Sequence, residues 1–245
     1  MKKVLALVAA TGLIAAASLA SAATIVNSKH NLSPTGIGAI KGTAGTNTSQ
    51  ICVYCHAPHQ TTGYAVLWNR NNPAATKFTL YSGVGMNSRQ FASGFTTDST
   101  SLFCMSCHDG STSMNSVHNK GANITNVALG YAGDAGLPMI TGNSVTVGGL
   151  SSNLKGTHPV NFPVTTADPT LNLGSNPTTG TKMGLADAFP LYKATAGGSV
   201  NNDGARSSTR SLECGSCHAV HDSQYSPFLR ATLNGSTLCL GCHNK

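Results

Sequence analysis

The 245-residue sequence is poor in charge and in rings. Asp, Glu, Lys and Arg together make up 9%, against roughly 25% in an ordinary soluble domain. Aromatic residues are 6%, with a single Trp. So few large side chains cannot easily fill a core for a chain of this length, and 27 glycines add nothing to it. Something besides side chains is expected to occupy the centre. Disorder of the usual kind requires low hydrophobicity with high net charge, and an apolar content of 40% excludes it. Acidic residues number only 8, and no catalytic cluster of them is recognisable. Lys and Arg number 15, but they are scattered singly from Lys29 through Arg70, Arg89, Arg210 and Arg230 to Lys245. Nowhere do they form the stripe that a phosphate backbone requires, which excludes a nucleic-acid partner. Isolated cations suit the carboxylates of a small bound group instead.

Long apolar runs are missing too, except at the start. Lys2 and Lys3 precede an apolar stretch from Val4 to Ala20 and the small-residue run Ala20-Ser21-Ala22-Ala23, the three-part pattern of a secretory signal peptide covering residues 1–23. A membrane anchor is the competing reading, but the stretch is weakly apolar and at the lower limit of a span. The mature chain, 24–245, is then expected to be exported with no membrane span, to the extracellular space or cell surface, or alternatively the periplasm. It keeps 13 basic residues against 8 acidic ones, a charge of +5.

What is present is concentrated in the cysteines. All 8 fall in four copies of CxxCH: Cys52 to His56, Cys104 to His108, Cys214 to His218 and Cys239 to His243. Two thiols at this spacing with an adjoining His are the attachment signal of a c-type haem. Disulfides would not demand a His after every second Cys, and zinc sites built on CxxC would leave four histidines at a fixed offset unexplained. The motifs therefore predict four covalently bound haem c groups. Cys52, Cys55, Cys104, Cys107, Cys214, Cys217, Cys239 and Cys242 would form the thioethers, and His56, His108, His218 and His243 would be the proximal iron ligands.

Nine histidines leave five for the opposite faces: His30, His59, His118, His158 and His221. His59 and His221 each follow a motif His by three residues. On a helix such pairs share a face, so neither can reach the far side of the iron held by its neighbour, and each is expected to serve a different haem. His158 precedes Pro159, which favours an extended backbone presenting the ring from a loop. His30 lies shortly past the cleavage site. The distal set is thus read as His30, His59, His158 and His221, with His118 the spare. Methionine ligation would raise the potential, but enough His is available and the methionines are read as packing residues.

Motifs two and three share a Ser-Leu-x-Cys-x-Ser-Cys-His frame, and motifs one and three share Cys-His-Ala-x-His. This suggests an N-terminal haem pair over 24–120, a Gly/Ser/Thr/Asn-rich middle over 121–210 and a C-terminal pair over 211–245. The middle discourages long helices, with short strands expected near Ser144 to Val147 and Val160 to Thr165. Short helices are expected at the motifs, over Ser49 to His59, Leu212 to His221 and Ser236 to His243. The fold class is a loop-rich multihaem cytochrome c with few short helices and minimal β-structure, wrapped around a stacked haem array.

Several segments resemble a known group: Ser28-Lys29-His30-Asn31-Leu32-Ser33, Ile51 to His59, Leu67-Trp68-Asn69-Arg70, Cys107-His108-Asp109-Gly110, Thr157-His158-Pro159-Val160 and the C-terminal doublet. The sequence is similar in these to the multihaem c-type cytochromes with paired CxxCH motifs, specifically the exported tetrahaem OmcE-like group of metal-reducing bacteria. The resemblance implies bis-His haems throughout and head-to-tail polymerisation into an extracellular conducting filament, with one His donated to the adjacent subunit; His30 resembles such a donor in position. Its implied partners are further copies of itself, redox partner cytochromes and extracellular electron acceptors. The function expected is electron transfer rather than enzymatic turnover. A monomeric periplasmic shuttle is the alternative, and a multihaem reductase, which needs an exchangeable iron position, is the opposing class.

Overall fold

A single helical turn follows the first cysteine of each motif, because two residues between cysteines suffice to close one backbone hydrogen bond from the motif His back to that cysteine. His56 N donates to Cys52 O at 2.8 Å, His218 N to Cys214 O at 3.0 Å and His243 N to Cys239 O at 2.8 Å. The computed structural model describes residues 25–38, 40–59, 66–81, 94–97, 99–109, 117–119, 153–164, 171, 182–183, 189–195, 199–201 and 210–244.

Around the first motif the helix is only a 3-10 turn over Cys52–Tyr54. The second carries an eight-residue helix, α1, Ser101–His108, where Leu102 and Met105 lie three residues apart on one buried face. The third and fourth carry α2, Cys214–Cys217, and α3, Thr237–Cys242. The helices expected over Ser49 to His59 and Leu212 to His221 are therefore shorter than the sequence suggested. His218 is already extended at φ −110° and ψ 131°, and His56 pairs in an isolated antiparallel bridge with Trp68.

The strands are two to four residues long. β1 (Thr79–Leu80) pairs in parallel with β2 (Asn153–Leu154). A four-stranded antiparallel sheet has the order β3-β8-β6-β7, made of β3 (Phe162–Pro163), β6 (Tyr192–Thr195), β7 (Ser199–Asn201) and β8 (Arg210–Leu212). In it Phe162 stands opposite Leu212, and Tyr192 opposite Ser211. β4 (Lys182–Met183) and β5 (Phe189–Pro190) form a further pair. The architecture is loop-rich with few short helices and little strand. Of the two strands expected from the sequence, β3 falls in the second, while Ser144 to Val147 lies outside the described residues, as does the leading segment 1–23.

Among the described residues the core is three small clusters, each built against a motif. Leu32, Ile40, Tyr54 and Val117 pack with Cys55 and Cys107. Ala75, Phe78, Leu80, Phe95 and Leu154 close over Leu102 and Met105 of α1. Phe162, Val164, Phe189, Leu191 and Leu212 pack with Leu238 and Cys242 of α3. Burying a side chain of this size contributes about 1.5–3 kcal/mol. Close approach of the strands to the motifs needs glycine between the cysteines. A Cβ at Gly215 would stand 2.7 Å from Tyr192 Oη, and one at Gly241 would overlap the Phe189 ring. β8 runs into Glu213 and then α2, so the sheet delivers the third motif.

Candidate haem-attachment site

Motifs one and three are the same structural unit. After each motif a second segment folds back and grips the turn in an identical register. Ala57 N donates to Leu67 O at 2.9 Å and Ala219 N to Phe228 O at 2.7 Å; Asn69 N donates to Cys55 O at 2.8 Å and Arg230 N to Cys217 O at 2.9 Å. The motif histidines use the same segments: His56 Nδ1 donates to Val66 O at 2.7 Å and His218 Nδ1 to Pro227 O at 3.0 Å. Leu67 and Phe228 occupy equivalent positions with left-handed backbone, φ 53° and 60°. Neither is Gly or Asn, so each carries a conformational cost of order 1 kcal/mol or more that the surrounding pairing must offset.

A proton on Nδ1 leaves the Nε2 lone pair outward, which is the tautomer a metal-binding imidazole requires. His158 and His30 are held similarly, with Nδ1 at 2.8 Å from Pro159 O and 3.4 Å from Val220 O. His108 differs, its Nδ1 being buried without a hydrogen-bond partner. Burial lowers its pKa to about 4 and also lowers those of His30 and His221. In all three, burial favours the neutral ring.

The structure brings six of the nine histidines together in three pairs. His56 faces His221 with ring centroids 6.1 Å apart, His108 faces His30 at 6.1 Å and His158 faces His243 at 6.3 Å. Each pair joins one motif His to one His outside the motifs. Two metal–imidazole bonds of about 2 Å each place the ring centres about 6 Å apart, so the gap fits one atom bound between the rings. His221 thus lies by the ring of motif one and not by that of its own motif. The expected reason, a shared helix face, does not apply, because the backbone has left the helix at His218. The separation arises from the fold-back of 227–230 instead. His59 and His118 join none of the three pairs. They are tied close to one another through Asn119, whose Nδ2 donates to His59 O at 3.2 Å. His218 is likewise outside the three pairs.

None of the eight cysteines is in a disulfide. Burial pushes Cys55 and Cys242 up to about 12 and Cys217 to about 11. Cys104 and Cys214 make a side-chain hydrogen bond with each other, and that bond together with burial raises the pKa of Cys104. Two thiols and an imidazole on one turn fit a porphyrin with two vinyl groups and an iron. The same turn does not gather ligands around a small ion: among the described residues no group of three His, Cys, Asp or Glu could hold a metal ion by itself.

Three residues at the site were not singled out by the sequence. Arg70 is 0% exposed and lies close enough to Cys55 and Cys107 for its charge to favour their ionised forms. Asn69 pins the fold-back segment, its Nδ2 donating to Val53 O at 2.8 Å while Asn119 N donates to its Oδ1 at 2.8 Å. Glu213 is 2% exposed at the start of motif three. The available signal was rarity, since a charged residue is uncommon in this chain. Trp68 sits edge-on to His56 at 5.7 Å and against Phe103 at 5.1 Å, screening one side of the first motif.

Residues 208–245 match the family of the doubled CXXCH motif. The match supports covalently bound haem c and the electron-transfer role of a multihaem c-type cytochrome. No curated protein matches the chain. Among the described residues no helix is long and apolar enough to cross a membrane.

Proposed function

We propose that the chain is an exported tetrahaem c-type cytochrome that carries electrons along four bis-His low-spin haems and polymerises head to tail into an extracellular conducting filament. The observation that carries the reading is the set of three ring pairs at 6.1–6.3 Å, each uniting a motif His with one outside the motifs. His56 with His221, His108 with His30, and His243 with His158 would hold three of the irons, which leaves His59 for His218 by elimination. His30 would then ligate within its own chain.

A haem c held in this way takes up and returns one electron at its iron, and bis-His ligation keeps its potential low. The chain's own residues do the rest. The carbonyls of Val66, Pro227 and Pro159 fix the imidazole tautomer, and the cysteines tether each ring. The apolar clusters and Trp68 exclude water, while Arg70 supplies a buried positive charge. Each haem would bring two propionates against about one positive charge on a ferric iron, so four would bring the mature +5 chain near neutrality, where particles associate readily. Ile37, Leu233, Leu67 and Leu240 are exposed at 66%, 59%, 47% and 44%, apolar groups suited to contact between copies.

Mass spectrometry of the secreted protein is expected to find four haem additions, and negative-stain microscopy to find filaments. Monodisperse particles at physiological concentration would leave an electron shuttle. Carbon monoxide uptake by the reduced, unmodified protein would mark the His218 position as open and favour a reductase.

A further inference from the structure

Motifs two and three are far apart in sequence, yet one carboxylate ties them together. Glu213 Oε2 accepts hydrogen bonds from Ser99 Oγ at 2.6 Å, Ser101 Oγ at 2.5 Å and Ser101 N at 3.3 Å. These are the residues that open α1 and lead into Cys104. On its own side Glu213 forms a capping box with Ser216, whose Oγ accepts from Glu213 N at 3.0 Å. Ser101 Oγ also accepts from Cys214 N at 3.0 Å. Ser99, Ser101, Ser216 and Glu213 are all 0–2% exposed. Three donors converge on one oxygen, and donors aimed at a carboxyl group favour its ionised, acceptor-only form. Beyond the clamp, the thiols of Cys104 and Cys214 lie near enough to shift each other's ionisation.

A buried negative charge acts across a low-dielectric medium and is little screened by salt. It stabilises whichever state of a nearby redox group is the more positive, which for an iron porphyrin is the ferric one. The motifs further from it, one and four, feel it less; Arg70 beside Cys55 of motif one and Cys107 of motif two, and Arg230 beside Cys217 of motif three, act in the opposite direction.

We infer that Glu213 is a positioning and potential-setting residue: it locks the second and third attachment motifs side by side and makes the potentials of the haems attached there lower than they would be without its charge. The inference rests on the haem reading above. It assigns a function to a residue that otherwise looks like an ordinary helix cap, and it makes the junction of the two motifs the crossing point between the N-terminal and C-terminal parts of the electron path. Crossing moves one electron from a ferrous centre to a ferric one, with no proton or co-reactant.

The test is a spectroelectrochemical titration of the full haem-loaded Glu213→Gln protein, beside Glu213→Asp and Ser99→Ala. Glu213→Gln keeps the shape and removes the charge. Two of the four potentials are expected to move to more positive values, with the Asp variant returning towards the original. Ser99→Ala removes a donor and leaves the charge less neutralised, so the same two potentials are expected to fall. If Glu213→Gln does not fold, Ser99→Ala alone decides. Four unchanged potentials, or four moving equally, would overturn the inference. Haem content is read on the same samples: fewer than four haems in the unmodified protein would overturn the tetrahaem reading, whereas four haems with unshifted potentials would overturn only the role of Glu213.

Discussion

Replacing His221 with Ala separates a ligand from a packing residue. Its ring stands 6.1 Å from that of His56 and tilted by 41°, too distant for close stacking. If the two rings merely neighbour each other, their interaction contributes about 0.5–1.5 kcal/mol, and its loss would lower thermal stability slightly and leave the spectrum untouched. If an iron lies between them, the variant opens one axial position among the four motifs. Titration of the reduced protein with carbon monoxide is then expected to saturate at about one ligand per four haems, with a matching loss of low-spin absorbance. The identity of the haem is checked in a Cys52→Ala, Cys55→Ala background that lacks the first attachment. There His221→Ala should add no further binding. Carbon monoxide uptake that persists in that background, or no uptake in the single variant, would refute the pairing.

Three further outcomes are expected. Phe189 is 3% exposed in the cluster over α3, so Phe189→Ala should cost about 3–5 kcal/mol, read as a lowered midpoint in urea. Lys77 Nζ lies 2.5 Å from Asp109 Oδ2, with the carboxylate wholly buried and the lysine 33% exposed. Lys77→Met should cost about 1–3 kcal/mol, less than a fully buried pair because water already reaches the ammonium. His30→Ala should remove one low-spin centre by electron paramagnetic resonance, whereas His118→Ala should remove none; the opposite pattern would exchange their roles.

The motifs were legible because haem attachment fixes residue type and spacing together, and the Gly-, Ser-, Thr- and Asn-rich composition correctly pointed to a loop-rich chain with few short helices. The fold-back of Val66 to Arg70 onto motif one and of Pro227 to Arg230 onto motif three was not legible. Its turning residues, Leu67 and Phe228, hold left-handed backbone where a sequence reader looks for Gly or Asn. That is also why a continuous helix through His59 and through His221 was expected: nothing local announces that a partner segment captures the backbone at the motif His. Burial of Arg70 and Glu213 was equally hidden, since charged residues are ordinarily at the surface and only tertiary contacts draw these two inside. The equivalence of motifs one and three was readable in Cys-His-Ala-x-His, and the shared register of hydrogen bonds gives that repeat its physical content.

The most direct measurement is a density map of the haem-loaded protein at a resolution that places iron. The account predicts iron midway between His56 and His221, between His108 and His30, and between His243 and His158, with an imidazole also opposite His218. Iron coordinated by a different residue in any of those three gaps, or water opposite a motif histidine, would contradict it.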